Sequence, residues 1–390
     1  MDRDSGSSYR NLASILLSRV TSINPFLMGG VLSVVAVLAY GVGVVPSQDY
    51  FRFSSNPFVV SSAAWWIHDS LLLPLLAWIL NLNTSLGGFE IFCLLFFGFG
   101  LISFSVLSNK RTDSLFSEFE SRYGLNLRLV PLLLVLLNPV VLVMLNWLGM
   151  PDTLTFFLSV ILFFGKSDLL TMICSVLIVI NHPQGLVISM FIVVLKISKE
   201  FSLNGTWKTR ATMPILFSAA GYAVVKLYLN YFSMSMPSGR FAYVMKHGFA
   251  YWLARNSEAP FLTGFSLYNA SWFLILFCIL YFFRHAKVYY AAVVLLTIAA
   301  GTISFFTRDT TRVFSLLTWF IPVHVFLTTI QLMMERNLGD RRTAAVLLFI
   351  CLAQFLVPKY YSWDGKLYEP VFFVNNVMRI VSSILGGSAT

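Results

Sequence analysis

The sequence predicts an all-α polytopic membrane protein with about eleven transmembrane helices and additional interfacial helices in its first external loop. Three observations predict it. The 390 residues are 57% apolar and only 11% charged, against about 25% charged in a soluble domain. The apolar residues gather in runs near the length that a helix rising ~1.5 Å per residue needs to cross ~30 Å of hydrocarbon. The ionisable residues collect between those runs. The pattern excludes a soluble enzyme. It also assigns the net charge of +10 to an excess of Lys and Arg in cytoplasmic loops rather than to a nucleic-acid partner.

Residues 1–24 are largely polar, with Arg10 and Arg19 spread through them and no small-residue cleavage site before the first apolar run. No cleavable signal peptide is expected there. Spans are expected at roughly 28–45, 88–108, 129–148, 152–165, 168–181, 184–197, 211–231, 266–283, 288–306, 313–334 and 343–357, given the length a crossing requires. With the N-terminus inside, 17 of the 27 Lys and Arg fall on the cytoplasmic side and nine on the other, with Lys226 within a span. That bias orients the chain N-in and C-out. The location that follows is a multi-pass membrane protein with its active site outside the cytoplasm, in a bacterial inner membrane or on the lumenal side of the endoplasmic reticulum.

The chain is expected to form a single transmembrane domain over 1–390. Its core is 28–210, with the first external loop at 46–88, and a more variable half follows at 211–390. The loop carries Gln48-Asp49-Tyr50-Phe51-Arg52, then Trp65, Trp66, His68 and Asp69, then the apolar run Leu71 to Leu80. Ten residues are too few to cross a bilayer. That run reads as a helix lying in the membrane surface, with Trp65, Trp66 and Trp78 at headgroup level. The spans near 152–197 are short, and Asn181-His182-Pro183-Gln184 interrupts them. Such breaks are tolerated where helices border protein rather than lipid. The tail from Val371 to Leu385 reads as an interfacial or docked helix. Cys93, Cys174, Cys278 and Cys351 each sit inside an apolar run without metal-ligand spacing, so they read as buried thiols.

The polar groups on the external side form a pattern: Asp49 and Arg52, Asp152, His182 and Gln184, then Arg240, Lys246, His247 and Arg255 in a long loop from Ser233 to Phe265. Arg308, Asp309, Arg312 and Lys359 follow. Few ionisable groups lie near the middle of any span. Ion-coupled transporters place carboxylates and broken helices near the midplane, whereas this chain gathers its chemistry at one interface. Each group also has a plainer role. Asp152 can cap a helix, Arg308, Asp309 and Arg312 can form a structural ion-pair set, and the basic loop can touch anionic headgroups. The spacing of Arg308 and Arg312 places both guanidinium groups on one helix face if the turn is helical.

The layout resembles the GT-C superfamily of integral membrane glycosyltransferases. The likeness lies in one span followed by a long first external loop with an early Asp and a surface helix (Pro46–Gly88). It continues in the turn Asn146-Trp147-Leu148-Gly149-Met150-Pro151-Asp152, which is similar to the Gly-x-x-Asp turn of many members, and in His182-Pro183-Gln184. The resemblance covers about the first 200 residues; many members also carry a C-terminal soluble domain, which is not expected here. It implies that Asp49 is the catalytic base and that the donor is a sugar on polyprenyl phosphate. Many members show a paired acid where this chain has Gln48-Asp49, so a divalent metal (Mg or Mn) is an open possibility and no metal ligands are assigned.

The chemistry also follows from the residues. Expelling a phosphate develops negative charge that guanidinium and ammonium groups stabilise. An acceptor hydroxyl loses its proton to a positioned carboxylate. One base without a second carboxylate nucleophile gives inversion; two close carboxyl groups allow retention. The expected roles are Asp49 as base and Asp152 as a supporting acid. Arg308, Arg312, Lys246 and Arg240 would hold the donor phosphate, with Arg52, His182, Gln184, His247 and Asp309 around the substrates. The partners are the lipid-linked donor, a glycan or lipid-linked acceptor, and membrane lipids. Alternative readings are a polysaccharide polymerase or ligase using polyprenyl diphosphate donors, a lipid or polysaccharide flippase, and a purely structural membrane subunit.

Overall fold

The computed structural model describes residues 24–43, 48–59, 67–206, 212–232, 240–256 and 259–385. It is a bundle of α-helices with one small hairpin. The helices are α1 Pro25–Tyr40, α2 Gln48–Ser55, α3 Leu72–Ile79, α4 Leu86–Tyr123, α5 Val130–Leu136, α6 Pro139–Asn146, α7 Asp152–Phe164, α8 Asp168–Asn181 and α9 Gln184–Asn204. They continue as α10 Met213–Tyr231, α11 Arg240–Asn256, α12 Pro260–Ser266, α13 Ser271–Phe282, α14 Lys287–Phe305, α15 Thr310–Thr318, α16 Phe320–Glu335, α17 Arg341–Ala353 and α18 Phe373–Leu385. Strands β1 (Ser362–Trp363) and β2 (Lys366–Leu367) pair antiparallel, an addition to the all-α expectation.

Four stretches are long and apolar enough to cross a membrane: α4, α10, α14 and the continuous run Thr310–Glu335 formed by α15 and α16. A fifth arises if α12 and α13 with the turn after it, bent by 81°, are taken as one span. Helices α1, α7 and α8 are apolar but shorter. The chain is thus helical with membrane character.

Local chemistry explains the boundaries. Helix α4 starts at Ser85, whose hydroxyl accepts from the Gly88 N–H, and ends where Gly124 takes a left-handed conformation. Its 38 residues span ~57 Å, well beyond a bilayer core, and its second half carries Lys110, Arg111, Asp113, Glu118, Glu120 and Arg122. The expected span 129–148 is two helices instead of one. Asn138 turns extended, its side chain accepts from the Val140 N–H, and Pro139 has no N–H with which to continue the previous helix. Every residue from Val130 to Leu145 except Leu133 is buried, so the break lies inside protein, where an interrupted helix is tolerated. The expected loop Ser233–Phe265 is largely helical where described. α11 occupies much of it and breaks at Gly248, whose φ of 71° disfavours any residue with a Cβ.

Packing follows the chain. Helix α4 lies against α1 and α7, α8 against α7 and α10, α14 against α9 and α15, and α13 against α16. The run α15–α16 is the centre: Trp319 and Phe320 are fully buried, and the Trp319 indole donates to Ser159 Oγ at 3.0 Å. The apolar run Leu71–Leu80 forms the short helix α3. It docks on the end of α8, where the Leu71 N–H donates to the Ile180 carbonyl at 2.9 Å and the Leu73 N–H to Asn181 Oδ1 at 3.2 Å. Trp78 is exposed at its far end; Trp65 and Trp66 lie outside the described residues. The tail helix α18 docks on α1, with Phe373 edge-on to Tyr40 at 5.4 Å and the Asn376 amide donating to the Ala39 carbonyl at 2.7 Å. All four cysteines are buried free thiols.

Candidate active site

The turn Trp147–Asp152, between α6 and α7, is locked from two sides. The Gly43 N–H donates to the Leu145 carbonyl at 2.9 Å, and the Leu148 N–H to the Gly43 carbonyl at 3.3 Å. From α8, the Asn181 amide donates to the Pro151 carbonyl at 2.7 Å and to Thr155 Oγ1 at 2.9 Å. Asn181 thereby joins α3, α7 and α8 with one side chain.

Asp152 is the first residue of α7 and is buried. Arg312, from the first turn of α15, reaches it with Nη1 3.1 Å from Asp152 Oδ2. The same guanidinium places Nη2 2.9 Å from Asp309 Oδ2. Its side chain is only 12% exposed and that of Asp152 only 3%, so water screens this pair far less than a surface pair worth ~0–1 kcal/mol. The Trp147 ring stands 5.6 Å from the guanidinium carbon, within cation–π range, and Met150 Sδ lies 3.0 Å from Nη1. Buried Tyr50, from α2, is close enough that Arg312 feels its phenol. Asp152 Oδ1, Arg312 Nε and Thr153 Oγ1 are buried without hydrogen-bond partners among the described residues. The cluster holds two carboxylates and one guanidinium, so it is negative.

A second cluster adjoins it. Arg308 lies in the turn before α15, not on its face, because helix begins only at Thr310. The shared face expected for Arg308 and Arg312 is therefore absent, and the two side chains go to different partners. Arg308 Nε lies 3.8 Å from Asp364 Oδ1, and Arg255, from the last turn of α11, pairs with the same oxygen. Asp364 and Gly365 form the two-residue turn of the β1–β2 hairpin, with φ of 57° and 77°. That is the type I′ geometry an Asp-Gly pair favours. A Cβ at Gly365 would meet the Arg255 carbonyl oxygen at 2.5 Å. The hairpin is pinned by the Asp364 N–H donating to the Arg308 carbonyl at 2.7 Å and by Trp363 packing edge-on to Trp147 at 5.3 Å. This cluster holds two guanidinium groups and one carboxylate, so it is positive. The Arg308 side chain is 57% exposed.

The other expected residues fall around these clusters. Asp49 is half-buried in the first turn of α2, one position before Tyr50, and Arg52 is exposed with Nη2 3.4 Å from Gln48 Oε1. His182 is buried, and its Nδ1 accepts from the Gln184 N–H at 3.2 Å, which caps the start of α9. Lys246 is exposed on α11, and His247 stacks on Tyr251 at 4.5 Å. The side chain of Arg240 lies outside the described residues. Lys359 is buried beyond α17, donating from Nζ to the Gln354 carbonyl at 2.9 Å, and burial pushes its ammonium down to about 7. No three His, Cys, Asp or Glu gather as metal ligands among the described residues.

Sequence reasoning missed Asp364, Trp147, Met150, Tyr50 and the Asn181 latch. Two of these had a local signal: Asp364, in the Asp-Gly pair between Trp363 and Lys366, and Asn181, at the break before Pro183. The arrangement sets a fixed, buried carboxylate beside an exposed guanidinium group that can meet an anion. No family model, curated protein or solved structure matches the chain.

Proposed function

We propose that the chain is a membrane glycosyltransferase that moves a sugar from a polyprenyl-phosphate donor to a glycan or lipid-linked acceptor at the external face of the membrane. The observation that carries the reading is the pairing of a negative and a positive cluster at one end of the bundle, joined through the consecutive residues Arg308 and Asp309. Arg308 and Arg255, with Lys246 nearby in sequence, suit the donor phosphate, because charge developing on the leaving group is best met by cations with free donors. Arg312 suits that task less, since two carboxylates already neutralise it. Its part is to hold Asp152, and with it the turn at the start of α7, in place.

Asp49 is the base in this reading. It precedes Tyr50, which faces Arg312, and its partial exposure leaves it able to take a proton and release it to water. With Asp152 locked by Arg312, direct displacement with inversion is the simpler course. Eleven crossings belong to this reading, of which four, or five counting the bent pair α12–α13, are long and apolar enough on their own. The shorter ones are accommodated by protein neighbours or local thinning of the bilayer.

The test is transfer by the purified, reconstituted protein from a panel of polyprenyl-phosphate hexoses to a glycolipid acceptor mixture. Sugar should leave one donor and appear on acceptor with inverted anomeric configuration. Intact donors across the panel, with a folded protein, would overturn the reading.

A further inference from the structure

At the opposite end of α7 from Asp152, ~18 Å away along its axis, the bundle opens into a cavity of about 660 Å³. Its walls come from α4, α7, α8, α9, the start of α10 and α16, and four cations line it: Arg111, Lys166, Lys196 and Lys199. Asp168 and Glu200 are the carboxylates on its wall, so cations outnumber anions.

The four cations are not equivalent. Arg111 donates from Nε and Nη2 to the Phe164 carbonyl at 3.0 and 2.8 Å, and Lys196 donates to the Leu162 carbonyl at 3.0 Å. Both close the C-terminus of α7, a structural task. Lys199 is different. It lines the cavity half-buried, and its ammonium makes no hydrogen bond or ion pair among the described residues. Lys166 stands exposed at the rim. Beside these cations the wall is apolar, with Leu115, Phe163, Ile192 and Leu327.

We propose that this cavity binds a phosphate-class anion, with Lys199 as its main contact, Lys166 at its entrance and the apolar wall receiving whatever chain the phosphate carries. Glu200 and Glu335 lie near enough to Lys199 to favour its charge, but neither closes an ion pair on it, and cations outnumber carboxylates along the wall. That excess favours an anionic ligand, and the space matches a headgroup-sized ligand. A lipid headgroup and free phosphate share this chemistry. The site is separate from the chemistry at the Asp152 end and stands whether or not that reading holds.

The experiment uses the full chain in phosphatidylcholine nanodiscs. Phosphatidic acid is titrated in and bound lipid is counted by native mass spectrometry; inorganic phosphate is titrated separately and read by thermal shift. Wild type should retain one phosphatidic acid, Lys199→Gln should bind it about tenfold more weakly, and Lys166→Gln two- to fivefold more weakly. Lys287→Gln, exposed at the start of α14 and outside the cavity wall, should match wild type. Millimolar phosphate that stabilises wild type and displaces the lipid identifies the phosphate group as sufficient; lipid binding without that effect identifies the amphiphile. Equal phosphatidic acid binding by wild type, Lys199→Gln and Lys166→Gln, or no binding of either probe by wild type, would overturn the proposal. Lys166 is exposed at the rim, so its variant keeps the test open if Lys199→Gln does not fold.

Discussion

Arg312 Nη1 stands 3.1 Å from Asp152 Oδ2, joining the start of α15 to the start of α7 across 160 residues of sequence. The same guanidinium holds Asp309 at 2.9 Å. One cation thus fixes two carboxylates, and the effect of removing each partner differs.

Arg312→Ala leaves the buried carboxylate of Asp152 and the half-buried one of Asp309 without a cation. It should cost about 3–5 kcal/mol of stability, since breaking a buried pair strands a charge. Asp152→Asn keeps the shape and leaves Arg312 paired to Asp309, so about 1–3 kcal/mol is expected, the cost of an imperfectly satisfied buried group. Arg312→Lys keeps charge but cannot fork between two carboxylates and should fall between them. Thermal midpoints of the three variants in one detergent check the order.

The Asn181 amide is a structural latch. Its three bonds to Pro151, Thr155 and Leu73 are buried, so Asn181→Ala should destabilise by about 1–3 kcal/mol. It should also loosen the turn that presents Asp152. Hydrogen exchange at residues 148–153 should rise in the variant while exchange in α14 stays unchanged.

Parts of this site were legible in the sequence. Asp152 after Gly149-Met150-Pro151 announces a helix start, and the break at Asn181–Gln184 announces the turn that latches it, because both signals are local. The expectation that Arg308 and Arg312 share a helix face failed for a local reason too: helix starts at Thr310, so Arg308 lies in the turn before it. The pairing of Asp364 with Arg255 and Arg308 was out of reach, since it depends on a hairpin closing over residues 109 and 56 positions earlier. The Asp-Gly pair marks the hairpin but not what it closes on. The break at Asn138-Pro139 was visible in composition, yet the apolar run around it masked the change from one helix to two.

Lys359 gives a pH signature. Its folded value of about 7 lies below the ordinary lysine range, so the unfolded chain binds the extra proton between about pH 7 and 10.4. Stability is penalised in full below pH 7 and rises with pH through that window, by at most about tenfold in the folding equilibrium per pH unit. Lys359→Met should flatten this rise. Unfolding midpoints at pH 6.5, 8 and 9.5 measure it; parallel profiles for the two proteins would remove Lys359 from the account.

Topology follows from the charge bias. A cysteine placed at 309 and one at 49 should react with an impermeant maleimide from the same side of the membrane, and one at 110 from the other. The four native cysteines are buried, so replacing them gives a clean background. Labelling of 49 and 309 from opposite sides would break the shared site.

The central claim is sugar transfer from a lipid phosphate with Asp49 as the base. The most direct measurement is the turnover of Asp49→Asn beside wild type, with a polyprenyl-phosphate hexose as donor and thermal midpoints taken on the same samples. The account predicts a ~10²–10⁴-fold loss of turnover with an unchanged midpoint. Wild-type turnover in Asp49→Asn would contradict it.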